Sequence, residues 1–534
     1  MKSVRMQTII LAALIILCLA AGVFFEHEKQ LRRRFSTPVL SPDELDAMSD
    51  ILFFFPADEN PSLPSDIYTT VFEEDQLRQY LIVPRDFNIR KAVCYAVDPT
   101  EQYLSRYVIS FSDSDEYAIG LRNIILTYTG LPILTVEITP DSPTIEELNA
   151  SDKTVECRAD IVLSYDKETA SENNWPHEIR SRGENTAPGT VGITGRGNVS
   201  WYYSQKKSYS LSFNEPTYLP GLGQNRKWNL ISNSQDKSLL NNEVFYRMAT
   251  VTGVEYEPSY MQVSVYLNGR YHGVYMITSK MTVDPDRIAL KGGDFLMNFG
   301  DPDASNAIYY ETKLWMDDEA TVKPYANIKW PKDHSKETIA VQTGIIQRFI
   351  SSIEDPADYL YTDYMDLDSM VRYYWIQEIS MNYDADYRSA YAYYRRSTDK
   401  IYMGPVWDLD IAMGWNADKF GADFTTPQGW KVRNMSFYAC LFEHEDFVRA
   451  VCDMYWNGGV REAMYDALER YKLRYGEMAE DGRLNYRRWQ ADWPALALRM
   501  GENYDDECAG RIAFFTDRVN WIDEEMSSLL PGTE

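Results

Sequence analysis

The residues of this chain best placed to do chemistry gather between Asn382 and Gly414. Asn382-Tyr383-Asp384 opens the stretch, and Gly404-Pro405-Val406-Trp407-Asp408-Leu409-Asp410 nearly closes it. Carboxylates at neighbouring strand ends can share a divalent cation, or hold a proton acceptor beside a metal-bound phosphate. The plainer reading is a set of solvated loop acids in a very acidic protein. Between the two clusters Tyr391 and Tyr393 alternate, and Ile401-Tyr402-Met403 follows a polar stretch. That pattern predicts a hairpin with Arg395 to Lys400 as its loop. Asp384 then stands at the entry of the first strand, and Asp408 and Asp410 at the exit of the second.

Upstream, Gly189 to Asn198 is rich in glycine, which lets a backbone approach phosphate oxygens and present its amides. Arg196, Lys206 and Lys207 stand beside it as cations able to hold phosphates; the plainer reading of the lysine pair is a solvated strand edge. Tyr209, Leu211 and Phe213 alternate with serines as a half-buried strand, and Lys227 to Ile231 reads as another. A helical pattern covers Ser238 to Thr250, with Asp236 placed to cap it and Glu243 within it. Val263 to Met276 reads as two strands on an Asn268-Gly269 type I′ turn. Helices are predicted near 337–353 and 366–382, and the chain after Trp430 reads as helical.

These motifs, in this order, resemble the CotH-type kinase family, the spore coat protein H group of atypical protein kinases. The resemblance rests on Gly195-Arg196-Gly197-Asn198 with Lys206-Lys207-Ser208-Tyr209, on Lys227-Trp228-Asn229-Leu230-Ile231, and on Asp236-Lys237-Ser238-Leu239-Leu240. Val265 to Tyr275 and the 382–410 stretch complete it. It implies ATP- and Mg²⁺-dependent phosphoryl transfer to Ser or Thr of an exported or surface protein. Asp384 would be the catalytic residue that accepts or orients the hydroxyl proton of the acceptor, Asp408 would be the main Mg²⁺ ligand, and Asp410 would share the ion or hydrogen-bond the loop. Ser389 stands where many relatives have a metal-binding Asn. Arg196 and Lys207 or Lys280 would contact phosphate, and Glu243 would pair with the phosphate-binding lysine. Asn241-Asn242 replaces a frequent Arg-Asn.

The 534 residues suffice for several domains. A net charge of −27 argues against nucleic acid and anionic membrane surfaces, and suits a basic protein substrate. An apolar run from Thr8 to Phe25 behind Lys2 and Arg5 reads as an uncleaved signal anchor, with the bulk of the chain outside the cytoplasm. Cys94, Cys157, Cys440, Cys452 and Cys508 form no CxxC pair, so a zinc site is not indicated; a Cys440–Cys452 bridge is left open. HExxH, GxSxG and P-loop signatures are missing.

The expected architecture is α+β: a membrane anchor over 1–35, a linker over 36–65, a small all-β accessory domain of sandwich type over 66–130, a kinase-like two-lobed core over 131–429 and its helical completion over 430–534. Pro140 to Asn185 reads as a polar insertion. Two other function classes stand beside the kinase: a catalytically inactive surface binding protein that kept the fold, and a carbohydrate-active protein using its 39 tyrosines, 13 tryptophans and paired carboxylates.

Overall fold

The computed structural model describes residues 40–526, apart from 74, 86, 88–90, 112–113, 182–190, 301, 303–306, 314–323, 334, 356–359, 386–387, 420, 491 and 493–496. The anchor expected over 1–35 lies outside the described residues, as do Gly189 and Thr190 of the glycine-rich segment. Among the described residues no helix is long and apolar enough to cross a membrane. The chain is a mixed α+β protein of two compact units.

The first unit runs to Thr129 and includes Tyr266–Tyr271. It contains two four-stranded sheets. One of them sets Asp75–Pro84 parallel to Arg122–Thr129. The expected 36–65 linker is structured in part. Ser41 and Glu44 form a capping box that starts the helix Pro42–Asp46. Leu52–Phe55 is a strand paired to Ala92–Val97, because its apolar side chains have a core to enter.

The second unit comprises Gly130–Val265 and His272–Glu534. Its eight-stranded sheet closes on itself, since Ile133–Ile138 pairs with Glu156–Ser164 as well as standing beside Tyr260–Leu267. Seven strands thus form a barrel, and Glu178–Arg180, the eighth, pairs with Val162–Ser164 at the end of the stave whose other end pairs with Val191–Arg196. Pro140 to Asn185 is therefore not an insertion: Glu156–Ser164 is a barrel stave. Cys157, Ala159, Ile161 and Leu163 bury one of its faces, an alternation obscured by the polar loops around it.

Between Ser208–Leu219 and Gly223–Ile231 the ladder pairs Ser210 with Asn229, and Asn229 pairs in turn with Thr278. Tyr209, Leu211, Trp228, Leu230 and Ile277 fall on the opposite, apolar face. The turn in Tyr260–Ser279 has Asn268 and Gly269 both at positive φ, as a type I′ turn requires.

A five-stranded antiparallel sheet follows, in the order Ala307–Tyr309, Tyr325–Trp330, Phe295–Phe299, Ala390–Arg395, Lys400–Met403. The expected hairpin is its last pair, with Tyr393 opposite Tyr402. The helices Lys336–Ile353, Leu367–Ser380, Glu445–Trp456, Val460–Trp489 and Tyr504–Glu525 pack with this sheet around one large core. The helix Asn241–Val251 belongs to that core, and most of its residues are buried. All five cysteines in the described residues are free, so Cys440 and Cys452 are unbridged.

Candidate active site

The loop after the hairpin carries the two acids, and alternation sets their direction. Trp407 and Leu409 enter the core, while Asp408 and Asp410 stay half-buried. The helix 241–251 fixes this loop along its backbone. Leu409 N–H donates to Asn242 Oδ1 at 2.8 Å, and Asp408 N–H donates to the Tyr246 hydroxyl at 3.2 Å. Asn241 donates its side-chain amide to the Ala412 carbonyl at 3.0 Å. On the approach, Val406 N–H donates to Glu257 Oε1 at 2.8 Å.

The helix starts at Asn241, later than the expected Ser238, with Leu240 and not Asp236 at its N-cap position; the Asp236 carboxylate, four residues before that cap, accepts from Ser238 N–H at 2.9 Å and Asn241 N–H at 2.8 Å. These grips hold Asp408 in the left-handed region, φ +64. Arg388 and Ser389, at φ +71 and +53, share that unusual backbone. Three such residues meeting in one place mark a spot where the surroundings override local preference.

Ser389 reaches the second acidic cluster. Its hydroxyl donates to Asp408 Oδ2 at 3.1 Å, so it steers the carboxylate. Asp384 N–H donates to Asn382 Oδ1 at 3.1 Å, and Arg388, next to Ser389, comes within 3.9 Å of the Asp384 carboxylate. Asp410 is crowded by negative charge. Burial first, then Asp408 and Asp236, push its carboxyl well above the usual carboxylate range, and Arg196 only partly offsets this. Burial and the Asp408 charge likewise push the Tyr391 hydroxyl up to about 12.

Such crowding is what a cation relieves. Two carboxylates and a hydroxyl are hard oxygen donors of the kind Mg²⁺ takes, with water and phosphate filling the rest. Among the described residues no three His, Cys, Asp or Glu side chains form a ready-made cage. Sparse protein ligation of this kind is usual for Mg²⁺ bound together with phosphates.

One cation stands beside the acids, and a second lies further along the barrel. The Arg196 guanidinium lies 5.7 Å from the centre of the Trp407 ring, beside the acid loop. Lys280 Nζ donates to Ser210 Oγ at 3.4 Å. Burial, followed by the charges of Lys227 and Arg196, pushes the Lys280 ammonium below the usual lysine range. Among the described residues, no ion pair engages Arg196, Lys227 or Lys280.

Two expected site residues lie elsewhere. Lys207 donates to the Trp201 carbonyl and lines a shallow cleft with Asn149, Asp152 and Tyr202, so its ammonium is spent on a backbone oxygen there. Its neighbour Lys206 is buried, donating to the Ser232 and Val274 carbonyls, and is no solvated strand edge. Glu243 pairs with Arg474 and, at 3.4 Å, with Arg470, both on the helix 460–489, in place of a lysine. The side chain is buried because its helix is enclosed, so it is no exposed helix acid either.

Sequence reasoning passed over Lys227, Asn242, Tyr246 and Glu257. Lys227 carried a signal, two residues from Asn229 on a strand; Asn242 carried one as a carboxamide entering an apolar helix. A family model described as CotH kinase protein matches residues 193–466, just over half of the chain. No curated protein matches the chain.

Proposed function

The chain belongs to the CotH kinase family, and on that footing we propose that it transfers the γ-phosphoryl group of ATP to a Ser or Thr hydroxyl of an exported or cell-surface protein. The observation that carries this reading is the set of cations Arg196, Lys227 and Lys280, which no ion pair engages among the described residues, with Arg196 5.7 Å from the Trp407 ring, beside the crowded acids Asp408 and Asp410. In a chain of net charge −27, three cations left without acid partners on one face suit an anionic ligand.

The residues divide the work. Arg196 and Lys280 hold phosphate oxygens by charge-assisted hydrogen bonds. Asp408 and Asp410 hold Mg²⁺, which when bound supplies neutralisation of the phosphate charge. Ser389 keeps the Asp408 carboxylate oriented. Asp384 accepts the proton of the attacking hydroxyl as the new oxygen–phosphorus bond forms and the bond to the ADP oxygen breaks. In this reading the barrel and the helical region act as the small and large lobes of a kinase. Residues 1–35 hold the protein to the cell membrane, with the bulk of the chain extracytoplasmic, where an acidic enzyme meets a basic protein substrate.

A second reading is a binding protein that kept the fold without the activity. Ser389 favours it, because a hydroxyl is a weaker metal ligand than the carboxamide of many relatives. Calorimetric titration of ATP with Mg²⁺ into the full chain and its Asp408→Ala variant separates the outcomes. The expected result is roughly micromolar binding, about −8 kcal/mol, that the variant loses. Absence of binding to either protein, with circular dichroism unchanged, removes the kinase reading.

A further inference from the structure

The turn that follows Arg196 carries its apolar side chains outward. Val199–Tyr202 is one helical turn, and Tyr203 continues it with helical backbone, donating its N–H to the Val199 carbonyl at 3.0 Å. Residues three and four apart on a helix share a face, so Val199, Tyr202 and Tyr203 stand side by side. On a surface helix such an apolar face packs against the core. Here it meets solvent: Tyr203 is 84 % exposed, and Val199 and Tyr202 are half-exposed. Trp201 takes the inward side in their place. It is buried, its indole N–H donates to the Ser151 carbonyl at 3.2 Å, and its ring lies where any side chain on Gly195 would stand.

Neighbouring apolar side chains left in water and rimmed by polar ones mark a surface that another molecule covers. Position and charge identify the occupant. Val199 follows Arg196 by three residues, so the cluster lies within roughly 10 Å of chain from the cation beside the acid loop. Tyr202 already holds a cation: the Lys153 ammonium stands 4.8 Å from the centre of its ring, while its hydroxyl donates to the Asp152 carboxylate. The helix Ile145–Ala150 and the strand Glu156–Ser164 pack against the strand Val191–Arg196, as this turn does. They expose Glu146, Glu147 and Glu156, and Asp152 is exposed between them. The cations there are Lys153, Lys207 and Arg158, and the first two already donate to the Gly197 and Trp201 carbonyls. Acids therefore outnumber cations around the cluster, in a chain of net charge −27.

Resting on the phosphoryl-transfer reading above, we propose that Val199, Tyr202 and Tyr203 dock the acceptor, a lysine- and arginine-rich polypeptide. Its cations lie over the two tyrosine rings, its apolar side chains cover Val199, and the carboxylates around the turn draw it in. The docked segment brings its hydroxyls to the side of the barrel that carries Arg196.

The test is fluorescence anisotropy of a labelled Lys-Ser repeat peptide with the full chain, its Val199→Ser/Tyr203→Ala variant and Tyr203→Phe. A Glu-Ser repeat peptide is the control, and calorimetry with ATP and Mg²⁺ runs on each protein. The altered side chains are exposed, so the variants keep the fold, which circular dichroism checks. The Lys-Ser peptide is expected to bind and the Glu-Ser peptide not to. The double variant weakens the Lys-Ser peptide by about tenfold, Tyr203→Phe, which keeps the ring, by less than about twofold, and ATP binds all the proteins alike. Unchanged peptide affinity in the double variant overturns the proposal, as does equal binding of the Glu-Ser peptide or no peptide binding by the parent. ATP binding in those cases spares the phosphoryl-transfer reading. Lys-Ser binding that the double variant loses, with no ATP binding by the parent, removes that reading and leaves the surface to a binding protein.

Discussion

At the scale of single residues, the site is held by backbone hydrogen bonds that no charge pattern announces. Asn242 illustrates this. Its side chain accepts from Leu409 N–H and donates to Asn233 Oδ1 at 2.9 Å, and it is almost fully buried. Replacing it with leucine keeps the volume and strands both partners. Leaving buried polar groups unsatisfied costs about 1–3 kcal/mol. Asn242→Leu is therefore expected to lower the unfolding free energy by roughly that amount, and to weaken Mn²⁺ binding, since Asp408 loses the anchor beside it. Urea unfolding and Mn²⁺ titration by electron paramagnetic resonance check the two effects. A loss of stability with unchanged Mn²⁺ affinity would assign Asn242 to the core alone. The acids Asp384, Asp408 and Asp410 were legible in the sequence as carboxylates at the ends of a hairpin, although solvated loop acids give the same pattern. Their holder was not, since a carboxamide reads the same in a cap, a core or a site.

At the scale of elements, the helix 241–251 joins the acid loop to the helix 460–489 through the Glu243 pairs with Arg474 and Arg470. The C-terminal helices thus act as the frame on which the acid loop is hung. They are clamped to one another by Asp523, which accepts from the Arg461 guanidinium at 2.6 and 2.8 Å, from Tyr455 at 2.8 Å and from Tyr465 at 3.1 Å. The Arg461 hydrogen bonds, then those of the two tyrosines, hold the Asp523 carboxyl down at about 2.

An unfolded aspartate titrates near 3.9, so the folded pKa is the depressed one. The stabilisation is fully present above pH ~4 and is lost as pH falls toward ~2. Solvent around the half-exposed Arg461 screens it, so it amounts to about 1 kcal/mol at neutral pH. Asp523→Asn is expected to cost about that much at pH 7 and little at pH 2. Urea midpoints measured for both proteins across that range check it; parallel curves would refute the clamp.

At the scale of the molecule, distant segments meet at a single buried ion pair. Glu378 accepts from the backbone N–H groups of Lys431, Val432 and Arg433 at 2.7, 2.8 and 2.9 Å. Arg518, from the last helix, pairs with it and donates to the Pro427 and Gly429 carbonyls at 2.9 and 2.7 Å. Both side chains are fully buried. Removing one partner leaves an uncompensated charge, which costs about 3–5 kcal/mol. Arg518→Met is expected to lower the thermal midpoint by several degrees or more and to loosen residues 427–433, seen as faster amide exchange there. A midpoint within a degree of the parent would show that the pair is dispensable.

The sequence by itself determined the α+β class, the hairpin and the family. Each of these rests on local spacing: alternation along a strand, an Asn-Gly turn, a run of motifs in order. The tertiary structure decided the rest. Barrel closure depends on Ile133–Ile138 meeting strands on both its sides, and such pairing between segments far apart in sequence leaves no local trace. The same holds for the cations. Lys207 and Lys227 look alike in the chain, yet Lys207 is engaged by the Trp201 carbonyl and Lys227 stands free of ion pairs beside Lys280. Which lysine shares a face with Arg196 is a matter of strand register across the sheet, and register is fixed only when the apolar faces of all the strands are buried together.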